Sequence, residues 1–568
     1  MVVTGSPQPV PLDEADRDIN VLGSGDMPEL FRSWADYLHL TSTVDLQQRA
    51  PGGMQADISI RGAQFGQTLV LVNGIRVNDA QTGHHNLDVP LPLEMIDRME
   101  ILNGAGSTLY GSDAVGGAVN FITPRPRRSE ISLGAAVGNF GINQQDASAS
   151  FVRGNFSQQL SFARDFSSGF MPDRDYRGLA LASTTRTKSR LGHSSVLLAH
   201  GDRPFGADQF YGKYNSWERT KTWFASLQQD LGEQTQVAFA YRRHTDNFIL
   251  FRDRPQVYAN AHATENWQLA LRRRTRVANN ATLFYGGEGY RDRIDSNNLG
   301  HHQRNRAAGY VNLDVRALRR FSFAVGLRDE IWGDWRHELS PTVSGGAWLS
   351  PRLKLRGAVS HAFRLPSYTD LYYRDPATRG NPDLRPETAW SYEAGADFDP
   401  AGRLSGAATV FHRRERAGID YVRYVPGGTW TAANIDTLRF TGLELALRAQ
   451  LPKSVLQVSY AWLHVSQVPP AVVETRYVGN FPLHNAVISW QGRLAKKFLG
   501  RTRVGVVQRS GRDAYGLWDV ALTRRFKYVA PYVQVSNLTD TSYQEIPGVA
   551  MPGRTAVVGL RLNFPARD

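Results

Sequence analysis

Residues 56–79, ADISIRGAQFGQTLVLVNGIRVND, and residues 98–123, RMEILNGAGSTLYGSDAVGGAVNFIT, decide how the rest of the chain is read. Residues 69–72 and 75–77 are short apolar runs separated by Asn73-Gly74. Asn-Gly between β-formers marks a hairpin, because a type I′ turn needs positive φ at both central residues. Residues 99–102 and 118–122 form a second pair of runs, flanking a Gly-rich segment that carries Tyr110-Gly111-Ser112-Asp113. Taken alone, the stretch describes a small mixed α/β domain with tight turns.

The remainder of the chain has a different texture. At 568 residues, length alone allows several domains or one large architecture. Mean hydropathy is −0.38, and no run reaches the roughly 18 apolar residues that a membrane helix needs. A β-barrel stays open, since its strands alternate lipid-facing and lumen-facing residues and average to a soluble-looking composition. Aromatics at 11%, with 22 Tyr and 12 Trp, favour a barrel with interfacial girdles. With no cysteine, neither a disulfide framework nor a thiolate metal site is available. The net charge of +13 invites a nucleic-acid partner. However, the basic residues are scattered in short groups without one long stripe, which places them on solvated loops and lumen walls.

Residues 1–25 are polar and rich in Pro and Asp, and read as a flexible tether. Residues 2–7 have neither the basic start nor the apolar core of a signal peptide, so an exported chain would be a mature form here. Asp26-Met27-Pro28-Glu29 reads as a helix start, with Asp26 as N-cap and Leu30, Phe31, Trp34 and Leu38 on one buried helical face. Residues 124–129 are a linker. From 130 to 564 period-2 alternation recurs between Gly/Asp/Asn/Pro-rich connections, as at Phe321, Phe323, Val325 and Leu327, or Val558, Leu560, Leu562 and Phe564. This is too long for one sandwich. At ~20 residues per strand with its share of connections it gives about 22 strands.

Ile60-Arg61-Gly62, the LVLVNGIRVN hairpin, Glu100-Ile101-Leu102-Asn103-Gly104 and YGSDAVGGAVNFIT resemble the plug domain of TonB-dependent outer-membrane transporters, in that family's order and near its spacing. Phe363-Arg364-Leu365-Pro366, the GNPDLRPE segment at 380–387, Tyr392-Glu393-Ala394-Gly395, then Asn434, Phe440, Gly442 and Glu444, and finally VSNLTD at 535–540 with Tyr543 and Pro552-Gly553-Arg554, resemble its barrel. Residues 130–360 are supported by alternation alone. One departure is the C-terminus, where Pro565-Ala566-Arg567-Asp568 follow Phe564 although such barrels usually end on an aromatic residue.

The resemblance implies a mainly β fold: an N-terminal segment (1–25), a small α/β plug (26–126) and a transmembrane antiparallel barrel of about 22 strands (127–568) with the plug in its lumen. It implies location in the outer membrane of a Gram-negative bacterium, where a monomer sits among lipid and lipopolysaccharide. The function implied is active uptake of a large, scarce nutrient, energised by TonB and its inner-membrane complex. Val2-Val3-Thr4 resembles the TonB-docking box, although the usual upstream acidic residue is missing. A short β-prone segment on a tether suits strand addition to a partner's sheet edge.

Segments 52–56 and 78–86 resemble the plug's outward loops. There Met54, Gln55, Gln81, His84, His85 and Asn86 offer amides, imidazoles and a thioether with no positive cluster, which suits a bulky, largely neutral ligand. The compact length and the LVNGIRVN and YGSDAVGG segments look most like the cobalamin-receptor branch. Ferric-siderophore receptors share nearly all these motifs. A passive porin is disfavoured by the plug, and a soluble enzyme by the absence of any catalytic constellation.

No cofactor and no metal site is expected: adjacent histidines on extended chain point to opposite faces, and His84-His85 and His301-His302 read as loop residues in solvent. In the family two plug arginines pair with two barrel glutamates. Arg61, Glu393 and Glu444 match three of these positions, but Asn103-Gly104-Ala105 stands where the second arginine belongs. A substitute cation is therefore expected, with Arg98 or Arg439 as candidates, because two buried carboxylates facing one guanidinium leave an uncompensated charge.

Overall fold

The computed structural model describes residues 2–5, 9–23, 25, 27–318, 320–333, 335–467 and 474–565. Seven strands occupy the N-terminal part: β1 (Ile19–Leu22), β2 (Val44–Gln48), β3 (Ala56–Ile60), β4 (Thr68–Val72), β5 (Ile75–Arg76), β6 (Arg98–Asn103) and β7 (Gly117–Ile122). Five of them form one sheet in the order β1-β6-β7-β4-β5, while β2 and β3 pair separately. Asn73 and Gly74 turn the β4–β5 hairpin with φ of 50° and 77°, the signs a type I′ turn requires. The two long apolar runs, β4 and β7, lie side by side and parallel. Their side chains are almost wholly buried, as continuous apolar strands must be when both faces are covered.

The sheet begins earlier than the sequence suggests. β1 lies within the first 25 residues and pairs with β6 along Ile19↔Leu102 to Leu22↔Met99, so this part of the segment is structure and not tether. The helix expected from 28 onward is also broken. Pro28–Leu30 is a 3-10 turn, Phe31 is extended, and helix α1 covers only Ala35–Leu38. The Asp36 carboxylate accepts from the amides of Arg32 (2.7 Å) and Ser33 (3.4 Å), which offers the backbone an alternative to a helical turn there. Leu30, Phe31, Trp34 and Leu38 are nevertheless all buried, and the expected cap Asp26 lies outside the described residues. A second short helix, α2 (Ser107–Tyr110), precedes the glycine-rich turn.

Twenty-two antiparallel strands close around this domain as a barrel, from Glu130–Gly138 to Thr555–Pro565; two further two-residue pieces, Thr378–Arg379 and Glu474–Thr475, pair alongside them. The last strand bonds to the first, from Val557↔Gly138 to Pro565↔Glu130, leaving no open edge. Alternation sorts the wall. Phe321, Phe323, Val325 and Leu327 point outward and are 40–59% exposed, whereas Arg328 and Glu330 are buried on the lumen side. No helix of the described residues is long and apolar enough to cross a membrane, and the apolar belt belongs to the strands.

Close packing inside the plug rests on glycine at one point in particular. A Cβ on Gly116 would run into the Ala63 methyl and stand 2.7 Å from the Ile60 carbonyl oxygen. Gly116→Ala is therefore expected to loosen the plug by about 1–3 kcal/mol. Faster hydrogen exchange at β3 and β7 amides, with the barrel amides unchanged, is the expected result.

Candidate functional site

Most of the residues singled out in the sequence fall in or beside two regions, a buried ionic cluster between plug and wall and a cavity at the other end of the plug, while Val2, Val3 and Thr4 lie apart from both. The first centres on Arg61. It follows β3 with φ 53°, and Gly62 with φ 73° completes the turn that aims the guanidinium at the wall. Arg61 Nη2 and Nε donate to Glu444 at 2.6 and 3.0 Å, and Nη1 to Glu393 Oε2 at 2.7 Å. Phe411 lies under it, with the guanidinium carbon 4.5 Å from the ring centre.

The second cation at these glutamates is Arg17. Its Nε lies 2.9 Å from Glu393 Oε1, and its Nη2 donates to the Ala105 carbonyl at 2.7 Å. Neither expected substitute takes this place. Arg98 pairs with Asp97 and Glu100, and Arg439 is exposed on the wall. Asp18 joins the cluster, 3.2 Å from Arg61 and 3.6 Å from Arg356 of the barrel, and accepts from Thr409 Oγ1 at 2.9 Å. One residue pair along, Asp16 meets Lys354 at 3.0 Å. Three successive side chains of the N-terminal segment therefore hold the wall. Asn103 stands where the family's second arginine belongs; the next residue, Gly104, has φ 88°, and a Cβ there would sit 2.7 Å from Arg61 Nη1.

Val2, Val3 and Thr4 are folded onto the plug. Val2 and Val10 exchange backbone hydrogen bonds of 2.7 and 3.0 Å. The amides of Val3 and Thr4 both donate to Glu100 Oε2 at 2.8 Å, and Thr4 Oγ1 accepts from Asn120 at 3.0 Å.

At the other end, the β2–β3 hairpin and residues 62–66 and 81–85 of the plug meet the barrel wall and loops around a cavity of about 1030 Å³. Gln55, Gln81, His84 and His85 line it, whereas Met54 and Asn86 do not. Met54 packs into an apolar cluster with Ala50, Tyr176, Phe205 and Phe210. Asn86 staples its own loop, accepting from the Asp79 amide at 3.0 Å and donating to the Phe65 carbonyl at 3.2 Å.

The two histidines are not solvated loop residues. His84 stacks on Phe65 with ring centres 4.1 Å apart, and its Nδ1 lies 2.7 Å from Asp57, which Arg49 also holds at 2.8 Å. Burial would raise the Asp57 carboxyl, but Arg49 and then His84 outweigh it and hold it well below the ordinary range. His85 is buried beside Asp88 and the wall residue Asp246. Asp88 is only three residues from His85, but Asp57 and above all Asp246 lie farther along the chain, so the two adjacent histidines did not by themselves announce that the imidazoles would be covered.

Most of the cavity surface was missed by sequence reasoning. Phe65, Tyr211, Tyr258, Tyr373, Tyr421, Trp430 and Tyr477 supply aromatic walls. The only signal was the aromatic richness of the chain, which is shared with the lipid-facing belt. The charged lining is nearly balanced: Arg49, Lys213, Arg364, Arg423 and Arg476 face Asp57, Glu218, Asp246, Asp370, Asp375 and Asp420. Arg364 is held by Glu387 and Asp370, Arg423 by Glu474, and Arg476 lies 5.5–6.0 Å from the ring centres of Tyr477, Tyr421 and Trp430.

Comparison with known proteins agrees with this architecture. Residues 139–544 match the family profile described as TonB dependent receptor-like, beta-barrel, and residues 11–118 match the TonB-dependent receptor plug domain. The chain is 26% identical over 552 residues to the iron-regulated outer membrane virulence protein of Vibrio cholerae serotype O1, covering 86% of this chain and 82% of that protein. It is 22% identical over 520 residues to the vitamin B12 transporter BtuB of Photobacterium profundum, covering 86% and 84%. Among solved structures, the siderophore receptor PirA from Acinetobacter baumannii superposes with a TM-score of 0.80 at 14% identity, over 96% of this chain and 98% of that one.

The ionic cluster generates a pH test. Burial would raise the Asp18 carboxyl, but Arg356 and then Arg61 overcome this and lower it from 3.8 to about 2. A depressed carboxylate contributes stability that is complete above its unfolded value and is lost as pH falls through the folded one. Plug attachment is thus expected to weaken between about pH 4 and 2. Asp18→Asn should flatten that limb when exchange at β1 is followed against pH, and an unchanged limb would exclude Asp18 from the attachment.

Proposed function

The chain belongs to the TonB-dependent receptors of the Gram-negative outer membrane, and from that footing we propose that its nutrient is cobalamin or a related corrinoid. The observation that carries this reading is the cavity itself. Its volume of about 1030 Å³ exceeds that of ordinary small-molecule sites. Its rings offer flat faces to a large macrocycle, and Arg49, Arg364, Arg423 and Arg476 are engaged with carboxylates or lie on aromatic rings, which leaves Lys213 as the one basic side chain of the lining without such a partner among the described residues. The similarity to a vitamin B12 transporter supports the same choice. A ferric siderophore is the second reading, favoured by the likeness to an iron-regulated protein and to a siderophore receptor.

In this reading Gln55, Gln81, His84 and His85 contact the ligand, while Met54 and Asn86 shape the loops that present them. Val2, Val3 and Thr4 are the segment that TonB takes by strand addition, which requires release of their hydrogen bonds to Glu100 and Val10. Arg61, Glu393 and Glu444, with Arg17, keep the plug seated until that pull arrives. The apolar belt meets lipid and lipopolysaccharide, and the closed wall, with no strand edge to share, suits a monomer.

Titration of the detergent-solubilised protein with cyanocobalamin and with ferric enterobactin separates the two ligand readings. Cobalamin is expected to bind at least ~10-fold more tightly, a difference of about 1.4 kcal/mol, and the reverse order would overturn the corrinoid reading. Deleting residues 1–6 is expected to abolish energised uptake while leaving affinity within about twofold, because docking and binding lie at opposite ends of the plug. Uptake that survives the deletion would remove Val2-Val3-Thr4 from the docking role.

A further inference from the structure

On the floor of the cavity His85 of the plug comes together with Glu218 and Asp246 of the barrel wall. One donor atom from each lies within 4.8 Å of the others, and all three residues are buried. We propose that these three side chains bind a first-row divalent transition-metal ion, independently of which organic nutrient the cavity takes.

The polar atoms around this point are short of donors. Asp246 Oδ1 and Gln81 Oε1 are buried without a hydrogen-bond partner, and so is Gln55 Oε1; all three residues are only 4–5% exposed. Buried acceptors carry a desolvation cost when nothing satisfies them. A cation held by His85, Glu218 and Asp246 would give the unpartnered Asp246 oxygen the positive partner it lacks, and Gln81 and Gln55, which donate to Asp246 and Glu218 at 2.8 and 3.3 Å, stand beside it; all five residues line the cavity from which the ion would enter.

The chemistry of the set narrows the ion. An imidazole nitrogen with two carboxylates suits Zn²⁺, Fe²⁺, Co²⁺ or Ni²⁺; Ca²⁺ and Mg²⁺ prefer all-oxygen sites, and soft Cu⁺ seeks sulfur. Bonds of ~2.0–2.2 Å place the donors roughly 3–3.5 Å apart, so side-chain adjustments of about an ångström would close the set.

Outer partners already orient each donor. His85 Nδ1 faces Asp88 Oδ2 at 3.6 Å while its Nε2 faces Asp246 at 3.3 Å, the carboxylate–histidine arrangement common behind metal-bound imidazoles. Asp88 is itself fixed by His244 Nε2 at 2.9 Å and Arg203 at 3.0 Å. Tyr211 donates to Glu218 at 2.7 Å, and Gln81 Nε2 to Asp246 at 2.8 Å. Because one donor belongs to the plug and two to the wall, displacement of the plug would dismantle the site and free the ion.

The test uses the full-length protein in detergent, stripped with chelator and titrated with ZnCl₂ by calorimetry and with CoCl₂ by visible absorption. One ion per chain is expected, with a Co²⁺ spectrum showing nitrogen and oxygen ligation. His85→Gln, Asp246→Asn and Glu218→Gln should each weaken binding by at least the ~10–100-fold that loss of an outer partner costs, whereas His301→Gln with His302→Gln should leave it unchanged. Heat-modifiable gel mobility checks folding; if His85→Gln fails that check, the two wall variants carry the test. Absence of saturable binding, or equal affinity in all folded variants, would overturn the site. Cyanocobalamin titrated on the same metal-free protein reports on the corrinoid reading separately, so either can fail alone.

Discussion

A barrel of 22 strands encloses a lumen that its own side chains cannot fill. The wall is stable only if its inward polar residues are satisfied, and here a folded domain does this in place of water. The interface is consequently charged. Arg17, Arg61 and Arg356 meet Asp18, Glu393, Glu444 and Asp397 at low exposure. Removing one partner from such a buried group leaves a desolvated charge behind, which costs about 3–5 kcal/mol, far more than an exposed pair would. The plug is thereby held at a few points that can fail together.

The position of these points connects the two ends of the plug. Arg61 follows β3, the strand whose other end carries Asp57 beside the cavity, and Asp57 in turn holds His84. Arg17 and Asp18 immediately precede β1, whose partner β6 carries Glu100, the acceptor for Val3 and Thr4. A continuous set of strands and ion pairs therefore runs from cavity floor to N-terminal segment. These are the elements through which a pull at the N-terminus, in the docking proposed above, would act.

Features fixed by local chemistry were legible in the sequence. The Asn73-Gly74 turn needs only its own two residues, and the barrel's alternation is a period-2 signal that any long run displays. Glu393 and Glu444 could be placed only because the motifs around them resemble a known family. What stayed hidden depended on side-chain partners that no local pattern marks, most of them distant. Arg17 sits in a polar segment with no periodicity, and its role appears only when Glu393, 376 residues away, folds over it. His84 and His85 looked like loop residues until Asp57, Asp88 and Asp246 enclosed them. Residues 28–38 carried a helical pattern, and one carboxylate, Asp36, interrupted it.

The central claim is that Arg17 supplies the second cation of the plug–barrel attachment. It is tested most directly by a double-mutant cycle between Arg17→Ala and Glu393→Ala, read as the free energy of plug opening from hydrogen exchange at β1 and β6. Groups in direct contact through a buried ion pair are expected to show a coupling of about 1–3 kcal/mol. Strictly additive effects would contradict the attachment and leave Arg17 a bystander at the lumen wall.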